Sequence, residues 1–573
     1  MKKKIVSLAL ATVSFLSLAA CGGEVVEQFD ENKTQIFVAY FNGGFGDAWA
    51  EDLKAQFNAA NDKYEIVLRP KKQSADQIFS EIKMGTANSD IYFSAYTDFQ
   101  EGFYGNLFED LSDVLDMEPD GAGTGTVKSK MVDYESWQKV SSKYGMGCYM
   151  LPWDESIVGM VFDYKVFVEN GWLNYAGDAD KAALSAQGIN YTESNGTLYF
   201  ASASGKVNYA VGDVLLTAGK DGKYGTYDDG QPTTMAEFDD MLGSIAYGNK
   251  KAKTFLFSGL NDNYTSWIMQ AVMAQYMGTD LYKSYFTYDS GDLEMPMHDG
   301  SSETITLENG YKVFHSEGAY QGLSFIDTYF NASEVDENVK KITSYSHTDA
   351  QNDYLLGYKK ATGFPAMLVE GAWWENEAKA MFDQIAREDA NRGFGKREYR
   401  YMMLPTMEGQ AMAADKTAVE TAENGAILVT KTNDSAKLAK IKEFITLFLK
   451  TENLKKFTKL SGGFTPYKYD LSESELNELS PFIRNAWEIY NDKDHVELLR
   501  TKLDKFTDPF IFTAEATIYT VPIKSGASYV VSPVRYLRDS SVDALFASDA
   551  LGYKTSEWAN FITLAQAQGF FNN

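Results

Sequence analysis

The sequence predicts an α/β fold in which a largely parallel sheet is flanked by helices. Two apolar runs near the start, 36–40 and 64–68, are typical of strands, and an amphipathic helical pattern separates them. The same order returns late in the chain, where the apolar run 426–430 precedes another helical pattern. Strands that alternate with helices favour parallel β-α-β units. The length of 573 residues favours more than one domain.

The first helix is predicted from the spacing of its apolar residues. Trp49, Leu53 and Phe57 recur every four residues, which places them on one buried face. A glycine-rich turn at 42–46 precedes them. Asp47 follows the turn, and its carboxylate is in position to cap the exposed N–H groups of the helix.

The middle of the chain predicts further elements of the same kinds. The segment 90–96 is typical of a third strand, and a loop at 152–154 is expected before a strand at 158–162. Thr234 is the expected N-cap of a helix. The segment 264–277 has a helical pattern.

The last third is also mainly helical. A stripe of apolar residues over 438–448 predicts a helix after the strand at 426–430, and Gly462 and Gly463 end the next one. The last hundred residues alternate helical patterns with short loops. The polar segment 289–311 is expected to be an insertion that contains a hairpin.

The N-terminus has the pattern of an export signal. Three lysines at 2–4 precede an apolar run, 5–20, which is shorter than a membrane-spanning helix needs. Leu18-Ala19-Ala20-Cys21 is similar to a bacterial lipobox, in which Cys21 becomes the first mature residue and carries lipid. We therefore expect a signal peptide at 1–20, a lipid-anchored linker at 21–33 and anchorage to the outer face of the cell membrane.

Composition excludes several classes of function. The formal net charge is −27 at pH 7, and such an acidic surface repels nucleic acid. Aromatic residues make up 14% of the chain, which suits stacking against flat apolar ligand faces but does not prove it. If Cys21 is acylated, Cys148 has no disulfide partner and is expected to be a small buried residue.

Motifs for phosphate, zinc and calcium are absent or weak. The glycine-rich loop 43–46 lacks the Lys-Ser/Thr of a P-loop and the full GxGxxG spacing, and the four histidines have no ligand spacing. Asp221–Gly230 gathers oxygen ligands between glycines but does not fit an EF-hand. A solvated turn is the simpler interpretation, and calcium stays an alternative. We expect no other cofactor.

Several segments in order resemble the extracellular solute-binding proteins of ABC importers, in the large carbohydrate-type family. The resemblance covers most of 34–468, whereas the tail after about residue 470 and the insertions near 176–212 and 289–311 match poorly. After the lipobox, it is carried by YFNGGFGDAWAEDLKAQFNAAN, SDIYFSAY, LPWDESIVGMVFDYKVF with QPTTMAEF, AMLVEGAWWENEA, LPTMEGQ, and GAILVTKTNDSAKLAKIKEFITLFLKT with GGFTPYK.

The resemblance implies a two-lobed, periplasmic-binding-protein-like fold with the ligand closed between the lobes. Strands would cross between lobes near 149–156 and 426–430, with a return near 464–467. Lobe one would hold 34–151 plus 427–463. Lobe two would hold 152–426 plus 464–573, including the insertions and a helical C-terminal extension.

Candidate binding residues follow from sugar chemistry. Aromatic rings cover the apolar faces of a sugar, and carboxylates and amides bond to its hydroxyl rim. Such residues gather in loops at strand ends and helix N-termini. The candidates that meet this description are Phe45, Asp47, Tyr96, Asp98, Trp153, Asp154, Trp267, Glu370, Trp373 and Trp374.

Each candidate has a structural alternative. If a helix starts at Trp373, Trp374 shares the apolar stripe of Ala378 and is expected to pack in the core, whereas Trp373 points about 100° away. In the family that the chain resembles, the stacking tryptophan follows Gly-x, which is the position of Trp373. Glu370 is equally well explained as a ligand acceptor or a capping carboxylate. For the other candidates the alternatives are turns, hinge packing and helix core.

The expected function is capture of an oligosaccharide, without bond cleavage, by a monomer that delivers it to the membrane subunits of an ABC permease. A binding protein for a peptide or another solute is one alternative. A surface glycoside hydrolase is another, because Glu370, Asp154 and Asp98 could supply the two carboxylates that such enzymes need. The sequence does not identify the sugar.

Overall fold

The strands define most of the architecture. The computed structural model describes residues 29–71, 75–95, 105–132, 134, 139–141, 145–203, 209–500, 521–524 and 532–567. Its strands are β1 (Thr34–Phe41), β2 (Tyr64–Lys71), β3 (Ile91–Ser94), β4 (Lys139–Ser141), β5 (Gly145–Gly147), β6 (Leu151–Asp163), β7 (Ile189–Ser194), β8 (Thr197–Ala203), β9 (Lys253–Leu256), β10 (Glu294–Pro296), β11 (Ser302–Thr304), β12 (Pro365–Gly371), β13 (Tyr399–Met402), β14 (Thr417–Val429) and β15 (Val496–Leu499).

Helices flank the strands. No helix in these ranges is both long and apolar enough to span a membrane. The α-helices are α1 (Ala48–Ala60), α2 (Ala75–Lys83), α3 (Ser112–Leu115), α4 (Val127–Lys130), α5 (Tyr164–Asn170), α6 (Lys181–Ala186), α7 (Met235–Tyr247), α8 (Tyr264–Met277), α9 (Thr279–Thr287), α10 (Glu317–Phe325), α11 (His347–Leu356), α12 (Trp374–Glu377), α13 (Lys379–Ala386), α14 (Ser435–Phe448), α15 (Thr451–Ser461), α16 (Glu473–Leu476), α17 (Pro481–Asn491), α18 (Pro533–Leu537), α19 (Val542–Phe546) and α20 (Thr555–Ala567).

Nine of the described strands form a mixed sheet in the order β2-β1-β3-β14-β6-β12-β9, with β13 beside β6 and β15 beside β14. We call the part built on β1, β2, β3 and the 426–429 end of β14 the first lobe. The part built on β9, β12, β13 and the 157–163 end of β6 is the second lobe. Strands β10 and β11 pair as a hairpin, as predicted for the insertion at 289–311.

The predicted β-α-β unit at the start of the chain is confirmed. Strand β1 pairs in parallel with both β2 and β3. Trp49, Leu53 and Phe57 lie on the buried face of α1, because their spacing matches the helical repeat. The predicted cap is wrong: the Asp47 carboxylate does not cap α1, since it accepts hydrogen bonds from the Tyr40 hydroxyl at 2.7 Å and the Asn42 amide at 2.6 Å.

Two long strands, β6 and β14, run from one lobe to the other. They pair antiparallel from Leu151 with Ile427 to Ile157 with Thr421, and the register shifts on both sides of Gly425. The predicted loop at 152–154 is therefore wrong. These residues continue β6 because β14 lies alongside and supplies backbone partners, a long-range contact that local sequence does not reveal.

The chain after residue 463 also joins the lobes. The Glu155 N–H donates to the Phe464 carbonyl at 2.9 Å, beside the paired β6 and β14. Further on, β15 adds to β14 in parallel, with Val496 opposite Thr417. The Arg500 guanidinium then forms an ion pair of 2.6 Å with the fully buried Glu155. The C-terminal segment is thus bonded to the strands that connect the lobes.

Candidate ligand-binding site

The adjacent tryptophans at the end of β12 have different surroundings. Trp374 is fully buried and packs edge-on against Tyr399, with ring centroids 5.1 Å apart, and beside Phe382 and Phe482. These contacts assign Trp374 to the core of the second lobe, in agreement with its apolar stripe. Its place among the candidate ligand residues is therefore corrected, since other rings of the lobe surround it and leave it no exposed surface.

Trp373 lies where the two lobes meet. On one side its ring covers Gly371: a Cβ added there would come within 2.2 Å of the ring. On the other side lies Gly44, from the glycine-rich turn of the first lobe, where an added Cβ would come within 2.8 Å of Trp373 Cδ1. Glycine is needed at both positions because the ring approaches the backbone so closely. The contact between Gly44 and Trp373 brings two predicted site segments together.

An aromatic pair continues from Trp373 along the second lobe. Trp267 meets Trp373 edge to face, with centroids 5.9 Å apart at 86°. Tyr264 stacks on Trp267 at 4.2 Å and 27°. Both residues lie in the first turn of α8, so the N-terminus of this helix presents them toward Trp373. Sequence reasoning missed Tyr264, although an aromatic residue in the first turn after a loop was an available signal.

Polar side chains surround Glu370, the residue at the end of β12. Gln351 Nε2 donates to Glu370 Oε1 at 3.0 Å and to Glu377 Oε2 at 2.8 Å. His347 Nε2 lies 3.3 Å from Glu377 Oε1. Sequence reasoning named Glu370 but missed Gln351, Glu377 and His347, which come from α11 and α12 and meet Glu370 only in the folded chain.

Burial controls the charge of this polar group. Glu370 is almost fully buried, and burial, with the nearby Glu377 charge, raises its pKa to about 8. Its carboxyl group is therefore mainly protonated at neutral pH. The Glu377 carboxylate accepts from His347 and raises the pKa of that imidazole. The group can thus offer both hydrogen-bond donors and acceptors to a ligand.

Phe45 and Trp153 lie in the core of the first lobe. Trp153 is fully buried, stacks on Trp49 at 5.3 Å and donates from Nε1 to the Ser94 carbonyl at 2.9 Å. Phe45 packs against Trp153 with centroids 5.4 Å apart. The sequence left open the alternative that Trp153 packs at the hinge. Packing in the core accounts for the positions of both the Trp153 and the Phe45 rings. The turn approaches Trp373 through the Gly44 backbone.

Asp154 and Asp47 differ in exposure. Asp154 is buried on β6, where a Cβ at Gly425 of the adjacent β14 would come within 1.9 Å of its Oδ1. Asp47 is exposed at the end of the turn beside Gly44. Three further predicted residues, Tyr96, Asp98 and the lipidation site Cys21, lie outside the described residues.

The aspartate-rich loop at 221–230 is internally bonded. Asp228 Oδ2 accepts from the Lys220 N–H at 2.7 Å, and Asp229 Oδ2 accepts from the Gly225 N–H at 2.7 Å. Burial raises the pKa values of Asp221 and Asp229 to about 7. Over the described ranges, no three His, Cys, Asp or Glu side chains are grouped so as to hold a metal ion. Calcium is accordingly not assigned to this loop.

Comparison with known proteins identifies the fold. The sequence matches no protein-family model and no curated protein. Similar solved structures include apo RafE from Streptococcus pneumoniae, with 14% identity, a TM-score of 0.50, and coverage of 91% of this chain and 98% of that one. A protein from work on xylan utilization by the thermophilic bacterium Caldanaerobius polysaccharolyticus has 15% identity, a TM-score of 0.51, and coverage of 92% and 98%.

A chitin oligosaccharide binding protein is also similar, with 12% identity, a TM-score of 0.52, and coverage of 90% of this chain and 100% of that one. At such low identity these similarities concern the fold. The chain has the two-lobed α/β fold of solute-binding proteins, with a large sheet flanked by helices. This agrees with the fold that the sequence resemblance implied.

Proposed function

We propose that the protein binds an oligosaccharide between its lobes and delivers it to an ABC importer. The observation that carries this proposal is the aromatic group of Tyr264, Trp267 and Trp373, which lies beside the polar group around Glu370 where the lobes meet. Aromatic faces suit the C–H faces of sugars, and mixed donors and acceptors suit their hydroxyls. A structural neighbour that binds chitin oligosaccharide supports the same ligand class.

Lobe closure is the proposed mechanism. The backbone of Gly44 in the first lobe lies against Trp373 of the second lobe. Trp373 is only 3% exposed in this arrangement, so the lobes have to separate before a sugar can reach its ring. A ligand that contacts both lobes binds the closed form more tightly and shifts the population toward it. The importer would recognise this closed form, and no bond in the ligand is broken.

His347 and Glu377 are the proposed hydrogen-bonding residues at the sugar rim. Their side chains are 31% and 19% exposed, respectively, whereas Glu370 is buried behind them. Glu370 and Gln351 would then orient Glu377. This division assigns ligand contact to the partly exposed groups and support to the buried ones.

Export and assembly are part of the proposal. The lipobox-like segment that ends at Cys21 supports lipid anchorage on the outer face of the membrane. The partners would be the membrane subunits of an ABC permease, and the protein would act as a monomer. The sequence places 34–151 plus 427–463 in one lobe and 152–426 plus 464–573 in the other. Because Trp153 stacks on Trp49 and Ala426 pairs with Ser94, we propose that Trp153 and Ala426 belong to the first lobe.

A thermal-shift screen of the chain from residue 22 onward tests this function. A ligand that binds only the folded state raises the melting temperature. The screen uses raffinose, xylo- and chito-oligosaccharides, monosaccharides, peptides and calcium. Calorimetry then compares Trp373→Ala with the adjacent control Trp374→Phe, which keeps an aromatic ring in the core. We expect Trp373→Ala to weaken sugar binding by about 10- to 100-fold, since an aromatic contact surface is lost.

Other outcomes separate the alternatives. A shift with peptides and none with sugars would keep the solute-binding fold but overturn the proposed ligand. Shortened oligosaccharides after incubation would favour a hydrolase, and Glu377→Gln would then be compared with the wild type for loss of products. If Trp373→Ala binds the sugar as tightly as the wild type does, Trp373 is not part of the binding site.

A further inference from the structure

The C-terminal extension returns to the aromatic group of the candidate site. Arg535, in α18, donates from Nε to Asp262 Oδ2 at 2.5 Å. Its Nη2 also donates to the carbonyls of Gly259 and Leu260, at 3.2 Å each. One guanidinium therefore holds a single loop, 258–263, through three bonds. The loop lies more than 270 residues before Arg535 in the chain.

Asp262 connects this contact to the start of α8. It is fully buried, and its backbone carbonyl accepts from the Thr265 N–H at 3.1 Å and from the Thr265 hydroxyl at 2.7 Å. Loss of Arg535 would leave a buried carboxylate without its ion-pair partner, which is strongly unfavourable. The carboxylate would then have to take up a proton or become hydrated, and hydration requires the loop to move. The first turn of α8 would move with it.

The opposite side of the loop is held near the polar group. The Leu260 N–H donates to the Tyr345 carbonyl at 2.9 Å, and Ser258 Oγ donates to the same carbonyl at 3.0 Å. Asn261 Oδ1 lies 3.4 Å from His347 Nδ1. The loop is thus fixed between the segment that carries His347 and the C-terminal Arg535.

We propose that Arg535 is a positioning residue for ligand binding. It orders loop 258–263 so that Tyr264 and Trp267 meet the ligand in the orientation seen here. The inference rests on the proposed function, because it assigns these two rings to the ligand surface. It gives the C-terminal extension a role in affinity although Arg535 itself need not touch the ligand.

Arg535→Gln tests the inference, and Lys524→Gln is its matched control. Lys524 forms an ion pair of 2.8 Å with the more exposed Glu557 within the same extension, so its loss tests the extension without touching the loop. Calorimetry with raffinose, xylotetraose and chitotetraose should show at least a fivefold loss of affinity for the sugar that binds the wild type. Lys524→Gln should bind that sugar as the wild type does.

Hydrogen exchange provides a readout without ligand. Peptides that cover 258–268 should exchange faster in Arg535→Gln than in the wild type or Lys524→Gln. Arg535→Lys keeps a charge for Asp262 but cannot reproduce the planar, three-bond contact, so it should restore part of the protection and of the affinity. If Arg535→Gln does not fold, Arg535→Lys alone tests whether Arg535 positions the loop for ligand binding.

Two results would overturn the inference. One is unchanged exchange over 258–268 in Arg535→Gln and Arg535→Lys. The other is faster exchange with unchanged sugar affinity, which would make the contact purely structural. If the wild type binds none of the three sugars, the proposed function fails. The exchange data alone then decide whether Arg535 orders the loop.

Discussion

A methyl group added at Gly44 tests how the lobes meet. Gly44 has φ of +90°, and its added Cβ would come within 2.8 Å of Trp373 Cδ1 and 2.9 Å of Trp373 Cβ. Gly46, two residues on, has φ of +69°, and among the described residues nothing lies within 4 Å of its added Cβ. Gly46→Ala is therefore a control that shares the backbone strain but lacks the contact between lobes.

The two variants separate strain from closure. An L-residue with positive φ is strained by roughly 1–2 kcal/mol, and both variants share this effect. Gly44→Ala also overlaps Trp373, since carbon atoms normally pack at about 3.5–4.0 Å. Overpacking of this kind costs about 1–3 kcal/mol. Because the overlap exists only when the lobes are closed, sugar affinity should fall about 5- to 150-fold in Gly44→Ala.

Calorimetry with the sugar that binds the wild type measures this difference directly. Small-angle scattering of the ligand-free proteins adds a second observable, because Gly44→Ala should have a larger radius of gyration than Gly46→Ala. Equal affinities and equal radii for the two variants would refute the reasoning. Gly44 would then not lie at the moving contact between the lobes.

Three further predictions concern stability. Trp374→Ala should lower the free energy of unfolding by about 3–5 kcal/mol in urea titrations, because it empties a large core position; a loss below about 1 kcal/mol would contradict the core assignment. Glu155→Gln should lower the free energy of unfolding by about 2 kcal/mol, since the charge paired with Arg500 is lost. A double-mutant cycle with Arg500→Gln should show that the two substitutions are coupled. Additive effects of the two substitutions would refute the pair. Burial raises the pKa of Glu375 from 4.5 to about 7, so the folded state keeps a proton that the unfolded state has lost. Its contribution to stability should therefore fall by roughly 2–3 kcal/mol as pH rises from about 4.5 to 7, and Glu375→Gln should reduce this slope; an unchanged slope would show that Glu375 is not its source.

Local pattern determined the parts of the fold that depend on neighbours in sequence. The spacing of Trp49, Leu53 and Phe57 predicted the buried face of α1, and the segment 264–277 coincides with α8. The apolar stripe that Trp374 shares with Ala378 is also a local pattern, and it predicted that Trp374 lies in the core and that Trp373 points away from it. Such predictions succeed because side-chain direction repeats regularly along a helix.

Local sequence pattern predicted only some of the residues of the candidate site. Glu370, Trp373 and Trp267 were named from the sequence, but Trp153 was named for the same reason and lies in the core. An aromatic residue near a hinge looks the same whether a ligand or another ring covers it. Only the neighbours that fold against it, here Trp49, decide between the two.

The sequence by itself determined the α/β class, the helices with strong periodicity and the residue types available to bind a sugar. Tertiary structure alone decided that 152–154 continue a strand and that Gly44 lies against Trp373. It also decided that Arg535 reaches Asp262. The physical reason is that local periodicity is encoded within a few residues, whereas strand pairing, close packing and ion pairs join residues hundreds of positions apart.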